Sequence, residues 1–409
     1  LFKYKEYLKK NFSIKKNMER QYQIILYGAT GFTGRLCAEY FQSNYPDLSW
    51  AISGRNKEKL EDLKKELNLA CDIFVADSDD YEAIQNFVKQ TKVVLSAAGP
   101  FARYSTKVVE ACVENKTHYT DITGENHWVK GLIERFHDKA ALDGTRIIPS
   151  CGYDSIPSDM GVFFSVTRSE KPVSHVTVYH SAKGGASGGT TETMFTMGPL
   201  PKEMRDPFLL NPQDTVSEKQ KNNSADGFTI EPIPGTNEFS GMGLMAFANT
   251  RVVRRSAALF DLNQKSYGKD FTFKELGSYP SKAAARITTF VLMAAFLVIA
   301  TPLRRLVRPF LLKPGEGPDK ETRDNGWFRG LFVAKLQNGD EKRFEIVGSG
   351  DPGYKSTSKM VCESALTLAF SDDLPFGNEF GGVLTSAVGL GNPLISRLMK
   401  AGITFEELS

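Results

Sequence analysis

The sequence predicts an α/β protein, with a Rossmann-type doubly wound parallel sheet and a second α+β domain that carries a largely antiparallel sheet. An apolar run at residues 24–27 breaks into Gly28, Gly31 and Gly34 ahead of a helix-compatible segment. Short strand and helix patterns then alternate as far as about residue 160, which is typical of parallel βαβ units. Beyond about Pro172, longer strand patterns replace this alternation.

Composition limits the kinds of protein this chain can be. With 409 residues, of which 41% are hydrophobic, it can bury more than one core, so two domains are expected. A net charge of +3 gives no reason to expect a nucleic-acid partner. Five widely spaced cysteines without a C-x-x-C pair indicate a reducing compartment and a protein that is not secreted. Five histidines without ligand spacing give no indication of a metal site.

The three glycines follow the first strand in the spacing G-x-x-G-x-x-G. We expect Gly28 to allow a tight turn, Gly31 to let the backbone approach a phosphate, and Gly34 to let the following helix pack closely on the strand. Such a turn presents backbone N–H groups and a helix N-terminus to a pyrophosphate. The residues expected to line it are Gly28, Ala29, Thr30, Gly31, Phe32, Thr33 and Gly34.

The second strand, residues 48–53, ends where a dinucleotide ribose would lie. Asp or Glu at this position selects the 2′-hydroxyl of NAD, whereas Arg favours the 2′-phosphate of NADP. Here Ser53 and Arg55 occupy the strand end, and no acidic residue lies beside them. We therefore predict NADP(H) as the cofactor. The alternative is that Arg55 is an ordinary solvated loop residue.

The remaining strands of the first sheet also end in residues placed for cofactor contact. The third strand, residues 73–77, ends at Asp77, which is expected beside the adenine. The fourth, residues 93–98, is apolar throughout, as expected for a parallel strand covered on both faces. A turn at the carboxyl edge follows it and should face the cofactor. The residues of this turn are Ala98, Gly99, Pro100 and Phe101.

The second half of the chain is less regular. A strand at 173–181 leads into a Gly-rich run at 183–190, which is either a linker or a loop over the substrate. In the second case Thr190, Thr191 and Glu192 would cap a helix that continues through 193–200. Residues 211–235 predict an irregular surface excursion, 328–336 and 342–347 a β-hairpin, and 355–370 a helix.

Residues 287–303 form an uncharged, strongly apolar segment that is followed by Arg304, Arg305 and Arg308. The segment is slightly shorter than the roughly 20 residues that a membrane-spanning helix needs. A buried helix, an interfacial helix and a lipid-facing hairpin are all compatible with it. In the last two cases residues 287–308 would contact a membrane or lipid-droplet surface, with the arginines at anionic head groups.

These patterns divide the chain into four segments. Residues 1–17 are Lys-rich without a long apolar core, so we interpret them as a basic extension ahead of a functional start near Met18. A membrane or transit segment is the alternative. Residues 18–160 should form the NADP-binding Rossmann domain, and 161–380 the substrate domain. Residues 381–409 should return to the Rossmann domain. The sequence does not determine the oligomeric state, and a homo-oligomer is one of the alternatives.

Several motifs occur in one order and together resemble the saccharopine dehydrogenase-like oxidoreductases. That family includes trans-acting enoyl reductases of bacterial lipid synthesis and eukaryotic proteins found on lipid droplets. The resemblance runs from about Met18 to the C-terminus and implies an NADP-binding domain joined to an α+β domain, with the active site between them. The motifs are residues 28–34, 53–55, 97–101, 118–125, 152–159, 315–318 and 381–385.

The resemblance says less about the substrate than about the cofactor. Saccharopine-forming members act on charged amino diacids, but the middle of this chain shows no obvious arginine cluster to hold several carboxylates. It offers Gly, Thr, Met and Phe instead. A lipid-like or polyketide-type substrate and enoyl reduction are therefore favoured. Reduction of an imine or a ketone, and a non-catalytic nucleotide-binding protein on a lipid surface, are the alternatives.

Catalytic residues should come from the carboxyl edge of the first sheet. Tyr153 is the first candidate for the proton donor, and Asp121 or Glu125 is expected to orient it or the ribose. Tyr119 and Asp154 lie at the same strand ends. The alternative is structural: Asp154 would cap the following helix, and Asp121 would hold its loop.

Overall fold

The computed structural model describes residues 20–185, 202–307 and 317–409. The expectations for residues 1–17, for the loop beyond residue 185 and for the helix at 193–200 therefore lie outside the described residues. The same holds for Thr190, Thr191, Glu192, Arg308 and the first half of the 315–318 motif.

Thirteen strands in the described residues form two sheets. In chain order they are β1 (Tyr22–Tyr27), β2 (Trp50–Gly54), β3 (Asp72–Val75), β4 (Thr91–Ser96), β5 (His118–Asp121), β6 (Arg146–Ile148), β7 (Val173–Lys183), β8 (Phe239–Gly241), β9 (Thr272–Tyr279), β10 (Trp327–Leu336), β11 (Glu341–Ser349), β12 (Gly382–Val383) and β13 (Ile403–Leu408).

The helices connect and cover these sheets. In chain order they are α1 (Phe32–Asn44), α2 (Lys57–Glu66), α3 (Tyr81–Val88), α4 (Phe101–Tyr104), α5 (Thr106–Asn115), α6 (Asn126–Leu142), α7 (Ile156–Arg168), α8 (Glu218–Asn223), α9 (Ala246–Leu262), α10 (Lys282–Ala300), α11 (Arg304–Val307), α12 (Lys320–Asp324), α13 (Thr357–Phe370) and α14 (Ser386–Lys400).

The first sheet is parallel throughout and has the order β12-β6-β5-β4-β1-β2-β3. Six of its strands have the Rossmann order, 3-2-1-4-5-6, so the predicted fold class is confirmed. Helices cover both faces, which is why β1 is apolar at successive positions. Ile24 and Leu26 join the cluster beneath α1 and α13, whereas Ile25 and Tyr27 join the cluster beneath α3, α5 and α6.

The second sheet has the order β13-β11-β10-β7-β9-β8 and is antiparallel except for the β7–β9 pair. Phe328, Phe332 and Phe344 are fully buried on its inner face. Helix α7 lies against this face, where a Cβ at Gly161 would be 2.1 Å from the Phe332 ring. This glycine therefore permits the close approach of the helix to the sheet.

The chain crosses between the two sheets more often than the predicted segments suggest. The boundary predicted at residue 160 lies inside α7, which begins at the first sheet and packs on the second. Helix α13, in the segment assigned to the second domain, packs on α1 and β4. Residues 381–409 divide between the sheets, because β12 pairs with β6 and β13 pairs with β11.

The apolar segment forms one helix, α10, of 19 residues with a mean hydropathy of 2.1, and it is neither a core helix nor a hairpin. Only 11% of its apolar window is buried, and the side chain of Phe290 is 73% exposed. The helix is attached through Ala285 and Thr289, which are buried. By length and composition, α10 is the one helix among the described residues that could cross a membrane.

Candidate active site

The glycine turn has the conformation that its spacing predicts. Gly28 has a φ of +81°, and a Cβ there would lie 2.8 Å from the Ala98 nitrogen. A Cβ at Gly34 would lie 2.2 Å from the Gly28 carbonyl oxygen. Gly31 is the N-cap of α1 and offers no side-chain cap, so the first amides of the helix are not occupied by one. An uncapped helix start after such a turn suits a pyrophosphate.

The end of β2 adjoins this turn. The Ser53 carbonyl accepts hydrogen bonds from Gly28 N at 2.8 Å and Ala29 N at 3.2 Å. The Ser53 hydroxyl is buried and has no hydrogen-bond partner among the described residues. Arg55 is exposed, and no ion pair engages it in the described ranges. A free guanidinium and an unpaired hydroxyl at this strand end fit the ribose 2′-phosphate of NADP.

Asp77 and Phe32, both expected to contact the cofactor, have local roles in the structure. Asp77 is exposed, and its Oδ1 accepts a hydrogen bond from Asp79 N at 3.0 Å, which shapes the turn after β3. The Phe32 ring packs edge-to-face on Tyr354, with 5.0 Å between ring centroids. A Cβ at Gly317 would lie 2.5 Å from the Phe32 ring. Phe32 thus joins the glycine turn to residues that follow the apolar helix.

Glu125 holds the turn after β4. Its Oε1 accepts from Phe101 N at 2.8 Å and its Oε2 from Ala102 N at 3.1 Å. The peptide bond between Gly99 and Pro100, at the apex of this turn, is cis. Because both oxygens of the buried Glu125 carboxylate bind the first amides of α4, its geometry is that of a cap. This contact gives Glu125 a structural role, and its predicted part in orienting Tyr153 or the ribose stays a prediction.

Asp121 and Tyr119 are fully buried at the end of β5. Asp121 Oδ1 accepts from Thr123 N and Ser150 N, both at 2.9 Å, and Oδ2 accepts from the Tyr119 hydroxyl at 2.9 Å. Burial raises the pKa of Asp121 to about 7 and raises that of Tyr119 as well. The two residues hold the ends of β5 and β6 together, which corresponds to the structural alternative for Asp121.

Tyr153 and Asp154 are only partly buried where the chain passes from β6 to α7. The Tyr153 ring packs edge-to-face on Phe328, with 5.1 Å between centroids, and its hydroxyl has no hydrogen-bond partner among the described residues. Asp154 is likewise unpaired there, and its Oδ2 lies 3.8 Å from the position of a Cβ at Gly124. Burial raises the pKa of Asp154 to about 6.

Asp154 therefore does not cap α7, contrary to the structural alternative. The N-cap of this helix is Ser155, which makes no side-chain cap hydrogen bond. The Ser155 hydroxyl instead donates to Asn249 Oδ1 at 3.2 Å. The Asp154 carboxyl is left free beside Gly124 and the Met245 methyl group, which lies 3.8 Å from the same Cβ position.

Four polar residues next to Tyr153, three of them buried and one (His180) partly buried, are absent from the predicted site. Ser158 Oγ lies 2.9 Å from His180 Nε2 and 2.7 Å from Glu275 Oε2. Asn249 Nδ2 donates to Glu275 Oε1 at 2.9 Å. The sequence of β9 gives little signal, because Glu275 follows another charged residue, Lys274, in this strand. No pattern links Ser158 to a residue 117 positions away.

Contrary to the expectation that the middle of the chain has no arginine cluster, helix α9 carries one: Arg251, Arg254 and Arg255. All three are buried. Arg251 pairs with Asp226, Arg254 donates to the Pro207 carbonyl, and Arg255 donates to the Val383 carbonyl. Because these contacts engage terminal NH groups of each buried guanidinium, while the Nε atoms are enclosed without a partner among the described residues, the cluster secures the excursion before α9 and the C-terminal segment.

The chain is similar in sequence to a known protein family and to named relatives. Residues 24–148 match the family model described as the saccharopine dehydrogenase NADP-binding domain. A Mycobacterium tuberculosis protein provisionally named a trans-acting enoyl reductase is 32% identical over 95% of this chain and 97% of its own length. A second M. tuberculosis protein, named trans-acting enoyl reductase, is 32% identical over 94% of this chain and 97% of its own length.

Among solved structures, the apo saccharopine dehydrogenase (L-Glu forming) of Saccharomyces cerevisiae has a similar fold. The TM-score is 0.51 and the sequence identity 13%, over 95% of this chain and 100% of the yeast chain. This similarity concerns the fold alone.

Proposed function

The chain belongs to the saccharopine dehydrogenase-like oxidoreductases, and we propose that it reduces the C=C bond of an enoyl group in a lipid-like or polyketide-type substrate. It is an NADP-dependent oxidoreductase, with NADP(H) as its cofactor. The observation that carries the proposal is the free Asp154 carboxyl beside Gly124 and Met245. An acid next to apolar groups, at the cofactor edge of the sheet, suits protonation of a carbon atom in a hydrophobic substrate.

The segment that carries Met245 supports a hydrophobic substrate. Leu244 is 51% exposed and Phe247 41% exposed, although both are large apolar residues. Met245 lies between them in the sequence, and its methyl group and the Asp154 carboxyl both lie 3.8 Å from the position of a Cβ at Gly124. The arginines of the adjacent α9 are engaged elsewhere. An acyl chain would gain contact with the three apolar side chains, whereas an amino diacid would find no free arginine among the described residues there.

The cofactor would be held by the glycine turn and by the ends of β2 and β4. The Gly31 amide donates to the Gly28 carbonyl within the turn, so the backbone amides at the start of α1 would bind the pyrophosphate, and Arg55 and Ser53 the 2′-phosphate end. Enoyl reduction adds a hydride to the β-carbon and a proton to the α-carbon, and NADPH supplies the hydride when it is bound. The protein must therefore supply the proton and polarise the carbonyl group.

We assign protonation of the α-carbon to Asp154 and polarisation of the carbonyl group to Tyr153. Asp154, whose pKa is raised to about 6 by burial, exchanges its proton near neutral pH and would deliver it to the α-carbon. Burial raises the pKa of Tyr153 well above its usual value, so this hydroxyl keeps its proton. It would donate a hydrogen bond to the carbonyl oxygen as negative charge develops there.

A substrate panel tests the reaction. NADPH oxidation is measured with an enoyl-thioester, a ketone and an imine that carry the same long acyl chain. We expect turnover with the enoyl-thioester, and a loss of about 100-fold or more in Asp154→Asn, since general acids contribute roughly that much. Asp143→Asn, which removes an acid that pairs with Lys116 far from the cleft, is the control. Turnover of the imine or the ketone alone would overturn the enoyl assignment.

We also propose that α10 places the protein on the surface of a membrane or lipid droplet. Nineteen helical residues span about 28 Å, close to the hydrocarbon thickness of a bilayer. The exposed apolar residues of α10 are followed directly by Arg304 and Arg305, which suit anionic head groups. Thr289 Oγ1 accepts from Met242 N at 3.1 Å, so the helix is tied to the loop that carries Leu244 and Met245.

A further inference from the structure

Directly behind Tyr153 lies a closed polar cluster built from four separate elements. Ser158 comes from α7, His180 from β7, Asn249 from α9 and Glu275 from β9. The Tyr153 ring contacts the His180 ring edge-to-face, with 6.4 Å between centroids. Ser158, Asn249 and Glu275 are each less than 5% exposed. A buried carboxyl that no cation neutralises in the described structure must either hold a proton or be stabilised by hydrogen bonds.

The hydrogen bonds of this cluster allow two arrangements. The Ser158 hydroxyl has one hydrogen atom but two close partners, His180 Nε2 and Glu275 Oε2. If Glu275 is ionised, Ser158 donates to it and must accept from His180 Nε2–H. If Glu275 is protonated on Oε2, Glu275 donates to Ser158, and Ser158 donates to a bare His180 Nε2. Asn249 donates to Oε1 in both cases, so the proton belongs on Oε2.

We propose that Ser158, His180, Asn249 and Glu275 form a proton-holding cluster of the active site, in which ionisation of Glu275 reverses the Ser158 hydrogen bond and changes the tautomer of His180. Glu275 is thereby a positioning residue, since it acts on the reacting groups through its charge. Its use in catalysis rests on the proposed function. The coupling between the ionisation of Glu275 and the tautomer of His180 does not depend on the proposed function.

The surroundings of Glu275 favour a titration near neutral pH. The titratable groups that face it are His180 from β7, Tyr153 and Asp154 from the segment before α7, and Arg254, which donates to the Phe273 carbonyl on its own strand. Burial raises the pKa of Glu275 to about 7, and the Asp154 charge adds to this. Burial lowers the pKa of His180 to about 4, so its ring is neutral when Glu275 titrates.

Glu275 and Asp154 then behave as a coupled pair of acids. Because each ionised carboxylate disfavours ionisation of the other, the pair retains one proton over a wider pH range than either acid alone. Both charges also raise the pKa of Tyr153. Because the pKa of Asp154 is about 6 and that of Glu275 about 7, the proton that the pair retains near neutral pH lies mainly on Glu275, behind the Tyr153 hydroxyl, which keeps its own proton.

The test follows the His180 tautomer by NMR in ¹⁵N-histidine-labelled full-length protein between pH 5.5 and 8.5, without substrate. The signal is assigned by its loss in His180→Gln. We expect Nδ1–H at the acid end and Nε2–H at the alkaline end. In Glu275→Gln the amide NH₂ donates permanently to Ser158, so Nδ1–H should persist at every pH. One unchanged tautomer in the wild type, or a switch that survives in Glu275→Gln, would overturn the proposal.

Two further variants complete the experiment. Glu363→Gln is the matched control, because Glu363 is a buried carboxyl that accepts from Tyr40 and Tyr45 far from the cluster, and the His180 switch should persist there. Ser158→Ala breaks the link and should abolish the switch, which decides the question if Glu275→Gln does not fold. With an active substrate, Glu275→Gln should also remove the step near pH 7 in the pH profile of kcat that comes from Glu275, while the step near pH 6 from Asp154 stays. Lack of turnover would count only against the proposed function.

Discussion

Acidic side chains at the carboxyl edge of the first sheet differ in what surrounds them. Asp121 and Glu125 are buried, and every carboxylate oxygen of both residues accepts a hydrogen bond. Asp154 has no such partner in the described residues and lies beside a glycine and a methionine. At the level of single residues, the free acid is therefore the one available for chemistry.

Arg55 gives a direct test of cofactor selection. Arg55→Asp should weaken NADPH binding by about 10- to 100-fold, since a hydrogen bond to a charged group contributes roughly 1.5–3 kcal/mol. NADH binding should change little, because it lacks the 2′-phosphate. Fluorescence titration with both nucleotides measures this difference. Lys57→Asp, with the same charge change on a lysine that pairs with Glu61, is the control. Equal losses for NADPH and NADH would contradict the assignment.

Asp121 should make stability depend on pH. Its pKa is raised to about 7, so the folded protein holds a proton that the unfolded chain releases above about pH 4. The resulting stabilisation is complete below that pH and is lost as pH rises through about 7. Asp121→Asn carries no charge, so the stability difference between the variant and the wild type should move in favour of the variant from pH 5 to pH 8.

Asp121→Ala provides the contrasting result. It leaves Thr123 N, Ser150 N and the Tyr119 hydroxyl without their acceptor and should cost about 3 kcal/mol or more. Guanidinium denaturation at both pH values measures the two variants. If the alanine variant were as stable as the asparagine variant, Asp121 would not be the group that holds these strand ends together.

At the level of secondary structure, two helices have positions that their sequences do not reveal. Helix α13 has an apolar composition that suits either domain, yet it packs on α1 and β4 of the first sheet. Helix α10 has the composition of a core helix but is mostly exposed. Periodicity identifies a helix, whereas its neighbours are determined by which apolar faces remain uncovered after the sheets form.

The exposed face of α10 leads to a prediction about lipid binding. Replacing Phe290, Val291 and Leu297 with Ser should greatly reduce flotation of the protein with anionic phospholipid vesicles, because each apolar side chain loses roughly 1.5–3 kcal/mol of burial in the lipid. NADPH affinity should stay the same, since the helix lies away from the glycine turn. Replacement of the exposed Leu142 by Ser is the control. Unchanged flotation would remove the lipid-surface role of α10.

The whole molecule is tied together by its last segment. Strand β12 extends the nucleotide-binding sheet beside β6, and β13 extends the second sheet beside β11. Between them, the Asp159 carboxylate accepts from Ser386 Oγ at 2.7 Å and from Ala387 N at 2.8 Å, which joins α14 to α7. The two sheets are therefore expected to unfold together.

Truncation tests this dependence. Removal of residues 381–409 should abolish NADPH binding and soluble expression, although the glycine turn is more than 300 positions away in the sequence. Removal of residues 403–409 alone deletes only an edge strand and should lower Tm while NADPH binding is retained. Calorimetry and nucleotide titration distinguish these outcomes. Full NADPH affinity in the longer truncation would show that the two sheets are independent.

The sequence alone was sufficient to predict the features that depend on residues close together along the chain. The glycine spacing, the strand and helix periods and the basic residue after β2 are local, and they were enough to predict the Rossmann sheet and NADP(H). The structural role of Asp121 was one of two alternatives, and those of Glu125 and Asp154 were not predictable, because each depends on which backbone amides lie near the carboxyl group after folding. The Ser158–His180–Glu275 contacts depended on tertiary structure entirely, since packing of α7, β7 and β9 brings together residues up to 117 positions apart.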